Sequence, residues 1–140
     1  MIDAFFGEYR FLSNFWPCVV RLDSVPYLSV EAAYQAAKTD DKQAREILRR
    51  CYSASQAKRF GRTVKLRADW DKVKLAVMED LLRQKFSDTD LRQKLLDTGE
   101  EELVEGNTWN DTFWGRCGGV GENHLGRLLL KIRSDLLKEK

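Results

Sequence analysis

The chain has few of the residues that metal sites and disulfide frameworks require. Among its 140 residues are a single histidine and three cysteines. The cysteines, Cys18, Cys51 and Cys117, are odd in number and widely spaced, which argues against a disulfide framework and predicts a reducing compartment. One histidine, His124, supplies neither a zinc ligand set nor a Ser/His/Asp triad. We therefore expect no metal and no cofactor.

Long hydrophobic segments and domain linkers are also missing. No apolar run approaches about 18 residues, and no basic and apolar leader follows Met1, so we expect a cytoplasmic protein without membrane contact. Two prolines and no repeat or Gly/Ser-rich linker predict one domain over residues 1–140. The net charge of +2, from 24 basic and 22 acidic residues, excludes a broad field for a nucleic-acid backbone and favours a small ligand or one local feature of a polymer.

Hydrophobic periodicity predicts a compact, helix-rich α+β domain with a few short N-terminal and central strands. Short strands are expected across Phe5 to Phe15, at Cys18–Leu22 before an Asp23–Ser24 turn, and at Glu102–Glu105. Helices are expected at 30–38 with Ser29 as the N-cap, 42–50, 53–61 with a Ser53/Gln56 capping box, 69–86, 90–96 and 123–137. Gly61 and Gly99 stand where helix C-terminal stops are expected.

The first predicted helix has a polar face in an alanine-rich setting. Glu31, Tyr34 or Gln35, and Lys38 share this face, while alanines occupy the rest of the helix. The face is about 10 Å long, since each helical residue rises 1.5 Å. It is either the wall of a binding site or the solvent-exposed side of an ordinary amphipathic helix.

The segment from Gly106 to Gly115 is the most informative part of the chain. It contains two indoles, one carboxylate and two carboxamides, and its Asn, Asp and Gly content predicts an irregular loop. Flat indole faces with amide donors and an acid suit a base or nucleoside, since stacking contributes about 1–3 kcal/mol per base. The alternative is a Trp-rich corner of a small core in which Asp111 caps a turn.

Several segments together resemble the NADAR (YbiA-like) family. They are Ser13–Phe15, Val30–Lys38, Ala57–Arg62, Asp69–Trp70, Asp97–Gly99 with Leu103–Glu105, Asp111–Gly115 and Gly121–Gly126. The resemblance extends from about Glu8 to Arg133. Ala32 departs from it, because many members carry His after the Glu. Membership implies metal-independent N-glycosidase activity, either on phosphorylated pyrimidine intermediates of riboflavin synthesis or on ADP-ribose attached to guanine in nucleic acid.

The residues themselves fit cleavage of a ribose C1–N bond, whose transition state places positive charge on the sugar. A carboxylate near C1 stabilises that charge or orients water. We assign Glu31 as general acid/base and Asp111 as the second acid, although the two roles are interchangeable on sequence grounds. The family motif also includes Lys38, whose amine either forms an imine with the opened ribose or neutralises a phosphate.

Further residues are expected to bind the substrate. Arg62 is expected to contact phosphate, with a helix-end charge as its alternative. Trp70 and Trp114 are expected to hold the base between two planes, although core packing is an equal alternative for Trp70. Asn14 and Asn107 are expected to meet the base edge or the ribose hydroxyls, whereas Trp16 and Trp109 are assigned mainly to packing. Tyr34 and Gly115 complete the predicted substrate-binding set.

Three functions are compatible with the sequence. The first is an N-glycosidase. Its predicted reaction is removal of ADP-ribose from ADP-ribosylated guanine in DNA or RNA, and the alternative substrate is a ribosyl phosphate of the riboflavin pathway. The second is a module that binds ADP-ribose or a nucleotide without turnover, and the third is a structural or interaction domain. The presence of two acids and a lysine in the motifs favours the first, since a binding module does not need them.

Overall fold

A computed structural model describes residues 1–139, which form two units. The central unit comprises Asn14–Lys85, and the terminal unit comprises residues 1–13 and 86–139. The central unit contains β1 (Pro17–Leu22), β2 (Val25–Ser29), α1 (Val30–Ala37), α2 (Lys42–Arg49), α3 (Ala54–Gly61) and α4 (Trp70–Lys85). The terminal unit contains a 3-10 helix (Gly7–Leu12), α5 (Thr89–Asp97), β3 (Gly106–Asn107), β4 (Arg116–Cys117) and α6 (His124–Lys138). The predicted helix-rich α+β class is confirmed.

An antiparallel hairpin opens the central unit. Strands β1 and β2 pair through Val20 and Tyr27, both of which point into the core. Asp23 and Ser24 connect them with positive φ angles of 49° and 68°, which is the geometry of a two-residue hairpin turn. The turn predicted at these two residues is therefore confirmed.

Helix α1 lies at the centre of this unit and contacts both strands as well as α2, α3 and α4. Ser29 begins it as predicted, because the Ser29 hydroxyl accepts a hydrogen bond from the backbone N–H of Ala32 at 3.0 Å. All eight residues of the helix are buried. Its four alanines permit this, since small side chains let neighbouring elements approach closely on every side.

The remaining helices of the central unit follow the predicted pattern with small changes in their ends. Asp41 caps α2, and its carboxylate accepts hydrogen bonds from two backbone N–H groups of the first turn. Ser53 caps α3 as expected. In a standard capping box Gln56 would accept a hydrogen bond from the backbone N–H of Ser53, but here it accepts from the backbone N–H of Tyr52 at 3.0 Å. In α4 the buried apolar side chains are Trp70, Met78 and the pair Leu81–Leu82.

The terminal unit is organised around α5 and α6, which pack against each other. Asp88 caps α5, and Gly99 ends the segment with a φ of +66°, as a left-handed helix stop requires. Leu125, Leu129, Ile132 and Leu136 of α6 are buried, while Leu128 is half-buried. Asn123 precedes α6 with a φ of 54°. Its side chain accepts a hydrogen bond from Glu105 N and donates one to Leu103 O, the residues on either side of Val104.

Two strand predictions were wrong. The segment from Phe5 to Phe15 contains the 3-10 helix, because Gly7 turns the chain with a φ of +55° directly after Phe6. The Glu102–Glu105 segment forms only an isolated bridge between Leu103 and Ile2, since Gly106 lies within reach of the Asp3 backbone and the chain turns away there. The two-residue strands β3 and β4 carried no sequence signal.

Candidate active site

The predicted site residues divide between the two units. Those of the central unit are Asn14, Glu31, Tyr34, Lys38, Arg62 and Trp70, and those of the terminal unit are Asn107, Asp111, Trp114 and Gly115. That the two groups act on one substrate stays a prediction.

Glu31 is a buried carboxylate in the first turn of α1. Its backbone N–H donates to Asn14 O at 3.0 Å, and its Oε1 accepts a hydrogen bond from Gln35 Nε2 at 2.8 Å. The N-terminal location also suits a negative charge, because the helix dipole is positive there. Of the polar face predicted for this helix, Glu31, Tyr34 and Gln35 are buried and Lys38 is half-buried, so the face is not an ordinary solvent-exposed one.

Asn14 contacts the backbone of Glu31 and also α4 of the central unit. Its Nδ2 lies 3.6 Å from Met78 Sδ, a weak acceptor. Its Oδ1 is buried and receives no hydrogen bond from any residue between 1 and 139. Asn14 thus has an unused acceptor near Glu31, which agrees with the ligand-binding role predicted for it without testing that role.

Lys38 stands at the other end of α1, where it forms the C-cap. Burial is the main reason that the pKa of Lys38 is lowered, and the charges of Arg62 and Lys58 lower it further, while Glu31 opposes the shift. Its Nζ lies 5.6 Å from the centre of the Tyr34 ring. A larger share of this lysine is consequently a neutral amine near pH 8 than of an ordinary surface lysine.

Tyr34 and Trp70 form an aromatic pair beside Lys38. Their ring centres are 5.2 Å apart at an interplanar angle of 57°, and both side chains are buried. In this tilted packing, each ring buries part of its surface against the other. Core packing therefore accounts for much of the Trp70 surface, and base stacking by Trp70 stays a prediction.

Arg62 and Lys58 place positive charge around the end of α1. Arg62 is exposed just after α3, and within the described chain its guanidinium has no ion pair or hydrogen bond. Lys58 Nζ lies 5.7 Å from the centre of the Phe15 ring, which is itself partly exposed. Sequence reasoning selected Arg62 but missed Lys58, although the same Ala57–Arg62 motif contains both.

In the terminal unit, the loop from Gly106 to Gly115 is held by its own polar groups. Asn107 Nδ2 donates to Asp111 O at 2.9 Å and to Glu105 Oε2 at 3.0 Å, and Asn107 Oδ1 accepts from Asp111 N at 3.0 Å. Asn107 therefore uses both ends of its amide within the loop. A direct contact between Asn107 and a substrate stays a prediction.

Asp111 and Trp114 form a tight turn in this loop. Asp111 Oδ1 accepts hydrogen bonds from the backbone N–H groups of Phe113 at 3.2 Å and Trp114 at 2.9 Å. The indole of Trp114 stands edge-on to Phe113 with ring centres 4.8 Å apart, and it is half-buried. One oxygen of Asp111 thus shapes the turn, while no donor in residues 1–139 reaches its Oδ2.

Glu105 lies so close to Gly115 that no side chain fits there. A Cβ atom at Gly115 would lie 2.0 Å from both the backbone oxygen and the carboxylate of Glu105. Glu105 belongs to the resemblance motif but was not selected as a site residue, because its segment was interpreted as a strand. Trp109, assigned mainly to packing, is 53% exposed, so packing covers only about half of its surface.

The described residues contain neither a metal cluster nor a membrane-spanning helix. No three His, Cys, Asp or Glu side chains between residues 1 and 139 come together as a metal site. In the same part of the chain, no helix combines the length and apolar character needed to cross a membrane.

Comparison with known proteins places this arrangement in a family. The sequence profile of the NADAR domain matches residues 4–137. N-glycosidase YbiA of Escherichia coli (strain K12) is 41% identical over 139 residues, covering 95% of this chain and 85% of its own. An N-glycosidase of Nostoc punctiforme is 38% identical, covering 91% and 86%. A riboflavin biosynthesis protein of Vibrio vulnificus is 40% identical, but the chain spans only 36% of its length.

A solved structure agrees with the sequence comparison. The NMR structure of E. coli YbiA has a TM-score of 0.85 and 38% sequence identity, and the match covers 99% of this chain and 88% of that one. The helix-rich α+β architecture is therefore that of a recognised class of domain. The chain belongs to the NADAR domain family, and its resemblance to the YbiA-like group is confirmed.

Proposed function

We propose that this protein is an N-glycosidase that cleaves the bond between C1 of a ribose and the nitrogen of a base. The observation that carries the proposal is the presence of two groups on one helix. Glu31 in the first turn of α1 is a buried carboxylate, and Lys38 at its C-cap is a lysine whose pKa is lowered. The names of the bacterial relatives, N-glycosidase in E. coli and in Nostoc punctiforme, support the same class of reaction.

Glu31 acts as the general acid/base in this proposal. Its burial makes a carboxylate charge effective, because electrostatic stabilisation of the developing sugar cation is stronger where water is excluded. Asp111 is the supporting acid, since one of its oxygens is committed to the loop and only Oδ2 remains to approach the sugar. The different surroundings of the two carboxylates favour this order of roles.

Lys38 provides a covalent route. Its neutral amine attacks C1 of the ring-opened ribose, the base leaves with its nitrogen, and water then hydrolyses the resulting imine to regenerate the lysine. The lowered pKa of Lys38 supports this role, because only the unprotonated amine is a nucleophile. In the simpler alternative, the protonated lysine neutralises a phosphate and Glu31 activates water directly.

The remaining predicted residues bind the substrate. Arg62 contacts phosphate, and its exposed, unpaired guanidinium supports that role. The indoles of Trp114 and Trp70 contact the base, Tyr34 supports Trp70, and Asn14 presents its unused Oδ1 to a hydroxyl. Asn107 and Gly115 keep the loop in shape around these contacts.

Two substrates are chemically compatible with this reaction. ADP-ribosylated guanine in DNA or RNA has a ribose C1–N bond together with two phosphates for Arg62. A phosphorylated intermediate of the riboflavin pathway has the same bond and one phosphate. The name of the Vibrio vulnificus relative, a riboflavin biosynthesis protein, favours the second substrate, whereas the small net charge of +2 fits either a metabolite or one modified base. Neither route assigns a step to a metal ion.

The deciding experiment offers both substrates to the protein and identifies the products by mass spectrometry. We expect free base and free sugar phosphate or ADP-ribose from the wild type, and no product from Glu31→Gln. Glu100→Gln, an exposed carboxylate on the surface, is the matched control and should retain full activity. Binding without product would support the binding module, and a wild type that neither binds nor cleaves would support the structural domain.

Borohydride separates the two roles of Lys38. If the imine forms, reduction during turnover adds the mass of the sugar to the peptide that contains Lys38, and Lys38→Arg abolishes the adduct. An active enzyme from which no adduct is recovered would leave phosphate neutralisation as the role of this lysine.

A further inference from the structure

Gln35 makes an unusual use of its side-chain amide. Its Nε2 donates to Glu31 Oε1 at 2.8 Å, while its Oε1 is buried without a donor from any residue that the structure describes. The side chain as a whole is only 4% exposed. A buried acceptor without a partner is unfavourable, and a methionine or leucine of similar size would avoid that cost. The fold alone therefore gives no reason for an amide at this position.

The orientation of the amide follows from Glu31. If the amide were turned over, Gln35 Oε1 would face Glu31 Oε1 and two oxygen acceptors would oppose each other. The donor of Gln35 is thus directed at Glu31, although this leaves the acceptor unsatisfied on the other side. The i, i+4 spacing of the two residues on α1 makes this contact possible.

Gly61 holds the amide in this position from the opposite side. A Cβ atom at Gly61 would lie 2.0 Å from Gln35 Oε1 and 2.6 Å from Gln35 Cδ. The last residue of α3 therefore has no side chain because the Gln35 amide occupies that space. Gly61 has no positive φ, so the backbone does not require glycine there as a helix stop.

We infer that Gln35 is a positioning residue that fixes the Glu31 carboxylate, and that Gly61 confines Gln35 to the rotamer in which it does so. This inference rests on the proposed function, because it assumes that Glu31 is the acid/base of the glycosidase. A hydrogen bond from the amide favours the charged form of the carboxylate and restricts its orientation. Gln35 acts through Glu31 and does not itself touch the reacting atoms.

The first test replaces Gln35 with methionine, which keeps the length of the side chain and removes both polar groups. We expect kcat to fall by roughly tenfold to a hundredfold with little change in KM, since misplacing a catalytic group by about 1 Å has effects of that size. The acidic limb of the pH–rate profile should move to higher pH, because the carboxylate has lost a donor that favours its charge. The melting temperature should fall only slightly, because removal of the unsatisfied Gln35 acceptor offsets part of the lost hydrogen bond to Glu31.

Gln43→Met on the exposed face of α2 is the matched control and should leave rate, pH profile and melting temperature unchanged. Gln35→Glu provides a second variant, in which a like charge beside Glu31 should move the acidic limb further in the same direction. A Gln35→Met enzyme with wild-type kcat and pH profile would overturn the inference, and so would a loss of stability equal to the loss of activity.

A double-mutant cycle tests the part played by Gly61. Gly61→Ala alone should lower kcat, because the added Cβ displaces the amide. In a Gln35→Ala background the same change should have little further effect on kcat and should raise the melting temperature, since alanine is a better helix residue than glycine. Full additivity of the two losses would contradict the proposed link between the residues.

One measurement keeps this inference separate from the proposed function. In protein labelled with ¹³C at the glutamate side chains, the Glu31 carboxyl signal, assigned by Glu31→Gln, should titrate at higher pH in Gln35→Met than in the wild type. This shift is expected whether or not the protein cleaves any substrate tested. An unchanged titration would overturn the positioning role, whereas an inactive wild type with a shifted titration would overturn only the glycosidase.

Discussion

Asn107 and Asp111 are joined by two hydrogen bonds that run in opposite directions. Asn107 Nδ2 donates to Asp111 O at 2.9 Å, and Asp111 N donates to Asn107 Oδ1 at 3.0 Å. The side chain of Asn107 thereby makes the two hydrogen bonds that a backbone peptide group would make in a strand pair, and it closes a five-residue loop. Since Asp111 in turn caps Phe113 and Trp114, this amide determines where the indole of Trp114 is presented.

The first prediction concerns this closure. Asn107→Ala removes one buried amide and leaves the backbone groups of Asp111 without partners, which should lower the free energy of unfolding by about 1–3 kcal/mol. Urea denaturation followed by tryptophan fluorescence measures the change. Thr108→Ala, an exposed neighbour in the same loop, should change stability by less than about 0.5 kcal/mol. Equal effects of the two variants would show that the paired hydrogen bonds do not hold the loop.

The second prediction concerns Gly115, where a side chain would collide with Glu105. The Cβ of Gly115→Ala would lie 2.0 Å from two oxygen atoms of Glu105, so the loop or the carboxylate must move. We expect a loss of about 1–3 kcal/mol in the free energy of unfolding. Gly118→Ala is the control for backbone strain, because its φ is +59° but nothing lies within 4 Å of the added atom. A loss no greater than that of the control would argue against steric exclusion.

The third prediction is a pH dependence of stability from Lys85. Burial at the end of α4 lowers the pKa of Lys85 to about 7, against about 10.4 in an unfolded chain. Between these two values the unfolded chain binds the proton and the folded chain does not, so stability rises with pH. Near the middle of that range the slope contributed by one such group is about 1.4 kcal/mol per pH unit.

Lys85→Met should remove this contribution, and urea denaturation at pH 7, 8 and 9 measures it. Lys72→Met, on the exposed side of the same helix, should keep the wild-type slope. Identical slopes in the wild type and Lys85→Met would show that Lys85 keeps its proton in the folded state over this range.

Local signals in the sequence predicted much of the fold. Ser29, Ser53 and Gly99 mark helix ends through hydrogen bonds and φ angles that depend on neighbouring residues only, and all three are found in those roles. The strand predicted after Glu102 failed for a nonlocal reason. Its partner is Ile2, a hundred residues away, and the pairing ends where Gly106 meets the backbone of Asp3.

The candidate site was predicted less completely, because its supporting contacts depend on tertiary packing. Glu31 and Lys38 stood out by their spacing on one helix. Gly61 was expected as a helix stop, and its closeness to Gln35 depends on how α3 packs against α1. Glu105 and Lys58 were missed for the same reason, since their partners, Asn107 and Phe15, become neighbours only in the folded chain.

The last prediction concerns the two cations that act on Lys38. Because the charges of Arg62 and Lys58 both lower the pKa of Lys38, removing either one should raise that pKa. Reductive ¹³C-methylation of the lysines and NMR titration measure the pKa directly, and the Lys38 signal is assigned from its loss in Lys38→Arg. Arg62→Met should move the titration of Lys38 to higher pH.

Arg59→Met is the matched control for this prediction. Arg59 belongs to the same helix as Lys58 and is exposed, but it is not among the charges that shift Lys38. If the shift is electrostatic, it should be larger at low ionic strength and shrink as salt screens the exposed guanidinium of Arg62. A titration of Lys38 that is the same in both variants would mean that burial alone lowers its pKa. The charges near the end of α1 would then serve a bound anion and would not activate the amine.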